Sequence, residues 1–250
     1  MFGLKRTFKV IISILIGVLI VFAAFVVWAE TPPAPMVEAL DALESDSDVV
    51  VSNTDYLVFL PKTSNRGVGF IFYPGGRVDF RSYAPLAHRI AAEGYPVVIV
   101  SMPLNLAVFG VNKANDVINS YSQISCWAVG GHSLGGTMAA QFVYENPSKV
   151  AGLILLAAYP ASGVNLSNYD LLVTTIHGSN DGLVNDDQIE NSLNLLPAST
   201  TLVEIVGGNH AQFGWYGDQS GDNPATITRE EQQDQTFNAT IKLLDAIEHQ

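Results

Sequence analysis

The sequence predicts an α/β fold, a mostly parallel central sheet flanked by helices, preceded by an N-terminal transmembrane helix. Beyond residue 48, short runs rich in β-branched residues alternate with longer amphipathic stretches, the pattern of βαβ units. Ahead of them, residues 10–28 form an uncharged run of nineteen, interrupted only by Ser13 and Gly17. At about 1.5 Å per residue a helix of that length spans roughly the 30 Å hydrocarbon core of a bilayer. Hydrophobic residues make up 48% of the chain, which excludes wholesale disorder.

Lys5, Arg6 and Lys9 flank the apolar run on its amino side, and the first acid is Glu30. Such cations stay cytoplasmic, so everything after Trp28 is expected outside the cytoplasmic membrane. The run is longer than the roughly 7–15 apolar residues of a cleavable signal, so residues 1–29 read as an anchor. Cleavage at Val27-Trp28-Ala29, near Ala29, would instead yield a secreted domain. Residues 30–48, with Thr31-Pro32-Pro33-Ala34-Pro35, read as a spacer holding one amphipathic helix at 37–44.

Residues 49–250 then read as one domain. Residues 48–52 and 56–60, separated by Asn53-Thr54-Asp55, predict an opening hairpin, and 68–73 a buried strand. A helix over 83–93 is stopped by Gly94. Strand 97–100, helix 115–121, strand 125–129, helix 136–144 and strands 152–157 and 171–176 follow. A helix over 186–195 and a last strand over 201–206 precede a closing helix, opened by the capping-box pair Thr228 and Glu231.

Gly131-His132-Ser133-Leu134-Gly135 matches G-x-S-x-G between an apolar strand and a small-residue helix. A sharp turn there strains the backbone and lifts the Ser133 hydroxyl above the sheet, and it needs Gly131 and Gly135 because a Cβ at either would clash. His132 fills the variable position. A serine hydroxyl needs a base and an orienting acid, each beyond a later strand. Strand 171–176 leads to Asp181, and strand 201–206 leads through Gly207-Gly208-Asn209 to His210. The order Ser133, Asp181, His210 is the one such an elbow demands, and the carboxyl ends of parallel strands are where sites form. Two backbone amides, of Gly76 after the third strand and of Leu134 at the helix start, are the expected oxyanion donors, with Arg77 as the substitute for the first.

Tyr73-Pro74-Gly75-Gly76, Met102-Pro103-Leu104-Asn105-Leu106, Gly131 to Gly136 and Gly207 to Gly214 resemble the corresponding stretches of α/β-hydrolases, of the compact, lid-less fold-5 type. The resemblance covers residues 36–250. It implies the α/β-hydrolase fold and a catalytic triad at Ser133, Asp181 and His210, needing no cofactor and no metal. The chain departs from many wider relatives in carrying Tyr73-Pro74 where they have His-Gly. The superfamily includes esterases, lipases, peptidases and acyltransferases, so the resemblance implies the machinery and not the substrate.

The expected function is hydrolysis of an ester or related acyl bond. A non-catalytic binding protein on the same fold and an acyltransferase are the alternatives; a decayed scaffold would be expected to have lost a triad residue. His177 is a rival base, expected instead to hydrogen-bond the loop backbone, and Asp186 and Asp187 are rival acids, expected to cap the next helix. His88 and His249 read as solvated or core-edge residues, and Cys126 as a small core residue. The single cysteine rules out an internal disulfide and a multi-cysteine zinc site. Only twelve residues, 159–170, separate the sixth strand from the acid-bearing one, too few for a large lid. The apolar stretch Leu106-Ala107-Val108-Phe109 offers either an acyl-pocket lining or packing against the sheet.

Charge narrows the partners. Beyond residue 29, nine Lys and Arg face 24 Asp and Glu, a net −15. Such a surface repels phosphate backbones, so no nucleic acid partner is expected. It disfavours anionic head groups as well, so the expected substrate is a small neutral acyl ester.

Overall fold

The computed structural model describes residues 2–54, 56–63 and 65–250, with side chains from Phe8 onward. Its strands are β1 (Val49–Asn53), β2 (Leu57–Pro61), β3 (Val68–Tyr73), β4 (Val97–Ile99), β5 (Cys126–His132), β6 (Gly152–Leu156), β7 (Leu172–Gly178) and β8 (Thr201–Ile205). They form one sheet in the order β1-β2-β4-β3-β5-β6-β7-β8. β2 is antiparallel to β1 and β4, and the remaining pairs are parallel. This is the α/β-hydrolase fold that the sequence predicts. Asp55, in the expected hairpin turn, lies outside the described residues.

β3 shows why the sheet sits in the middle. All six of its residues are buried, and because successive side chains point to opposite faces they feed two cores. Phe70 and Phe72 join Ile90, Leu243, Leu244 and Ile247 under α3 (Ala84–Ala92) and α7 (Arg229–Glu248). Ile71 and Tyr73 join Val117, Ala139, Phe142 and Val143 under α4 (Lys113–Ser120) and α5 (Leu134–Glu145). The helix expected over 83–93 is α3, one residue shorter at each end, and a 3-10 turn at Phe80–Tyr83 precedes it. Capping by Thr228 and Glu231 opens α7 as expected.

Two other elements differ from expectation. α6 (Asp186–Ser192) is capped by Asn185, whose side chain accepts from Gln188 N–H, so Asp186 and Asp187 lie in the first turn and not at the cap. β5 runs three residues past Val129, because Gly130, Gly131 and His132 pair with Ile154, Leu155 and Leu156 of β6. Glycine has little intrinsic strand preference, and the ladder on both sides overrides it. The same ladder sets Gly131 opposite Tyr73, which brings the loop after β3 against the elbow.

The amino-terminal helix α1 (Phe2–Glu30) leaves the domain. Its segment Phe8–Glu30 is, among the described residues, the one helix long and apolar enough to cross a membrane, and its apolar side chains are exposed along most of its length. Its last turn is docked, with Ala29 fully buried. The following segment packs too. The short helix α2 (Val37–Asp41) buries Ala39, and Met36 N–H donates to the Trp215 carbonyl at 2.8 Å.

Candidate active site

Five non-glycine residues have positive φ among the described residues: Arg77 (56°), Leu104 (55°), Asn105 (51°), Ser133 (52°) and Ala157 (44°). All five follow the carboxyl ends of β3, β4, β5 or β6. A left-handed side-chain-bearing residue costs on the order of 1–3 kcal/mol, and such strain collects where a site needs it. At Ser133 the strain is that of the elbow. Its amide donates to the Leu156 carbonyl at 2.9 Å, and its carbonyl accepts from Thr137 at 3.1 Å, so the backbone is pinned on both sides. A serine at a helix start ordinarily caps it. Ser133 makes no such bond, which leaves the hydroxyl free.

The flanking glycines answer to close approach. A Cβ on Gly135 would fall inside the Tyr73 and Pro74 carbonyl oxygens, and one on Gly131 would meet the Tyr73 oxygen. The turn can therefore press against the loop after β3 only if both positions lack side chains.

Asp181 and His210, expected on separate loops, are brought together. His210 Nδ1 lies 2.8 Å from Asp181 Oδ2, and both side chains are shut from solvent. Asp181 Oδ1 accepts from the amides of Leu183 (2.8 Å) and Val184 (2.7 Å), which fixes the carboxylate plane. A carboxylate can only accept here, so Nδ1 carries the proton and Nε2 presents its lone pair. That Nε2 is buried and has no hydrogen-bond partner among the described residues.

His132 packs beside His210 with ring centroids 4.5 Å apart. Tyr83 Oη accepts from Gly75 N–H at 3.0 Å and lies 2.9 Å from His132 Nδ1. The phenol has a proton to give and a second lone pair to accept with, so the contact fits either tautomer of a neutral His132. Burial pushes the His132 pKa well below its ordinary value, and the positive charge of a protonated His210 adds to this. His132 is thus a neutral strut joining the elbow to the loop after β3.

Gly76 and Leu134 also meet. A Cβ on Gly76 would sit 3.1 Å from Leu134 Cδ2 and 3.5 Å from Leu134 Cβ. Leu134 opens α5, so its amide has no carbonyl four residues back within the helix. Among the described residues Gly76 N–H has no backbone partner, whereas Arg77 N–H donates to the Asn105 carbonyl at 2.8 Å. The Arg77 amide is occupied, which disfavours it as a substitute donor.

The rivals separate from this cluster. His177 Nε2 lies 3.4 Å from Asp186 Oδ1, and its Nδ1 is buried without a partner. It does not bond the loop backbone as expected, because β7 continues through Gly178 and carries His177 inside the ladder. His88 lies 3.7 Å from Asp46. Cys126 is half-buried, as a core-edge residue. Leu106 lines a cleft of about 510 Å³ that also includes Gly76, and Ala107 packs into the core, whereas Val108 and Phe109 are exposed and fill neither role considered for the stretch.

Several positioning residues carry no signal in the sequence. Asp222, in an irregular loop, accepts from Gly182 N–H with Oδ1 (2.9 Å) and from Ala211 N–H with Oδ2 (2.8 Å), tying the Asp181 loop to the His210 loop. Gln232 of α7 bonds both the N–H (2.9 Å) and the carbonyl (2.7 Å) of Asn209. A polar helix face that reads as solvated thereby clamps the residue before His210.

A parallel sheet with a strained strand-to-helix serine and a buried histidine–carboxylate pair beyond its later strands defines a class, the hydrolases built on an α/β sheet. The chain belongs to the alpha/beta hydrolase family, whose model matches residues 69–234. Among solved structures, the ferulic acid-bound Est1E of Butyrivibrio proteoclasticus is similar with a TM-score of 0.59 at 11% identity, covering 81% of this chain and 98% of its own. A predicted CIB-like hydrolase from Thermoplasma acidophilum superposes with a TM-score of 0.57 at 14% identity, over 82% of this chain and 98% of its own. The esterase domain of a Rhodothermus marinus protein gives 0.57 at 10% identity, over 79% and 97%. No curated protein matches the chain. At these identities the likeness concerns the fold.

Proposed function

We propose that the chain is a membrane-anchored serine hydrolase, with its catalytic domain outside the cytoplasm, that cleaves an ester or related acyl bond. The observation that carries this reading is the buried His210–Asp181 pair at 2.8 Å, with an unpartnered Nε2 and with its imidazole packed 4.5 Å from His132, the neighbour of the strained elbow serine. In this mechanism Nε2 takes the Ser133 proton as Oγ attacks the carbonyl carbon. The oxyanion is received by the amides of Gly76 and Leu134, and Asp181 stabilises the imidazolium. His210 returns the proton to the leaving alcohol, which departs and leaves an acyl-serine. Water then attacks that acyl carbon, giving its proton to His210, and Ser133 is regenerated with release of the acid.

The acidic domain and the membrane-length helix support a neutral ester and an anchor respectively. The test is Ser133→Ala in the full chain. Turnover of p-nitrophenyl butyrate is expected to fall by about three orders of magnitude or more, with loss of fluorophosphonate labelling. Retained turnover or labelling would sink the assignment.

A further inference from the structure

The membrane helix does not leave the domain at a neutral place. Its last turn docks on the loops that follow β3 and β4, at the same carboxyl edge of the sheet that carries Ser133, Asp181 and His210. Arg77 Nε donates to the Trp28 carbonyl at 2.8 Å and Nη2 to the Thr31 carbonyl at 3.0 Å. The guanidinium also lies 4.2 Å from the Trp28 ring centroid. Asn105 Nδ2 donates to the Ala29 carbonyl at 3.0 Å, and Ala29 is fully buried. Residues 28–31 are therefore part of the folded domain, and the catalytic edge is held against the end of the helix.

The segment Phe8–Glu30 has 23 residues, about 34 Å of helix against a hydrocarbon core of roughly 30 Å. Trp28 thus falls at the membrane surface, the depth that tryptophan favours. The 510 Å³ cleft lies here. Trp28, Pro33, Gly76, Leu106, Tyr216 and Asp218 all line it. The end of the membrane helix and the expected oxyanion loop thus share one cleft. Val108 and Phe109, on the loop after β4, and Leu183, just past Asp181, are apolar and exposed at the same edge.

Charge in the cleft points to the kind of head group. Its one lining cation is Arg77, whose guanidinium is held by two carbonyls and a ring, and Asp218 sets a negative charge against it. The lining side chains thus carry no net charge, which favours a neutral head group over a phosphate. We propose that this cleft opens onto the bilayer surface and takes a neutral amphiphilic ester, such as a long-chain acylglycerol, directly from the membrane in which the enzyme is anchored. The inference rests on the serine hydrolase reading and assigns its substrate class.

The test places the full chain in vesicles of ether-linked phosphatidylcholine, which carries no ester of its own. Dioleoylglycerol, whose two chains slow its exchange, is supplied either in the same vesicles or in separate ones, with p-nitrophenyl butyrate in solution as the membrane-independent substrate. Hydrolysis from the same vesicles is expected to run at least tenfold faster than from separate ones. A flexible insert of twenty Gly and Ser residues between Val27 and Trp28 keeps residues 28–31 docked and lifts the cleft off the surface. That insert is expected to lower the same-vesicle rate at least fivefold and to leave p-nitrophenyl butyrate turnover unchanged. Ser133-dependent turnover of the soluble ester, with equal rates from both vesicle populations or with no dioleoylglycerol hydrolysis, overturns the inference and leaves the hydrolase reading standing. Absence of Ser133-dependent turnover of either ester removes both.

Discussion

On one side of Ser133, Asp181 and His210 ride on the ends of β7 and β8, and each is tied down by groups of the domain itself, Leu183, Val184 and Asp222 among them. On the other side, Gly76 and Leu106 sit on loops after β3 and β4 whose left-handed residues Arg77 and Asn105 bond outward, to the end of the N-terminal apolar helix. The half of the site proposed to move protons is thus self-contained, and the half proposed to hold the oxyanion leans on a segment outside the sheet. The contrast teaches that a helix of membrane-crossing length can belong to the fold at one end and stand exposed along the rest. It also predicts that the two halves fail differently.

The largest effect belongs to the self-contained half. Asp181→Asn preserves shape but lets the amide stabilise the wrong imidazole tautomer, so kcat is expected to fall on the order of 10⁴-fold in steady-state assays, with KM little changed. A drop of tenfold or less would mean that His210 is oriented by something else. Losing an oxyanion donor outright costs about 10²–10³ in kcat. Arg77→Ala removes only the brace of the Gly76 loop, so a smaller loss, roughly tenfold in kcat, is expected. Deleting residues 1–27 should leave that kcat near the wild-type value, since residues 28–31 keep the carbonyls that Arg77 bonds. If the deletion were as damaging as Arg77→Ala, the brace would extend further into the N-terminal helix.

The smallest effect is on stability and belongs to the strut between the halves. His132 has its pKa lowered well below the usual value by burial, then by the charge on His210. Between that lowered value and about 6.5 the unfolded chain binds the proton and the folded chain does not, so stability falls as pH drops through this window. From pH 7 to pH 5 the loss can reach at most about 2 kcal/mol, the limit for one group whose unfolded value is about 6.5. His132→Asn keeps an acceptor for Tyr83 and cannot titrate. The stability gap between wild type and this variant, measured by denaturant unfolding, should shift against wild type by up to that amount at the lower pH. A constant gap would show that His132 takes up its proton inside the fold.

Much of this was legible before any coordinates. Ser133, Asp181 and His210 announce themselves because each chemical role demands a residue type directly beyond a strand, and strands with apolar runs are readable. The end of β5 is less so: Gly130, Gly131 and His132 do not resemble a strand, and they become one because β6 pairs with all three and β3 with the two glycines. Asp222 and Gln232 were invisible. Their partners are backbone groups 11 and 23 residues away, and a hydrogen bond across that gap leaves no periodicity to read. His177 misled for the same reason, since its partner Asp186 is chosen by where α6 packs.

Sequence alone determined the fold class, the membrane-length run, the acidic domain and the order of the three candidate catalytic residues. Each of these is written in local pattern, where neighbours in the chain are neighbours in the physics. Only the tertiary structure decided which histidine meets the carboxylate, that the Arg77 amide and not that of Gly76 is taken by the Asn105 carbonyl, and that Trp28 lines the cleft. Those outcomes depend on contacts between segments far apart in sequence, such as Arg77 with Trp28. They come into being when the sheet assembles and each buried polar group has to find its partner.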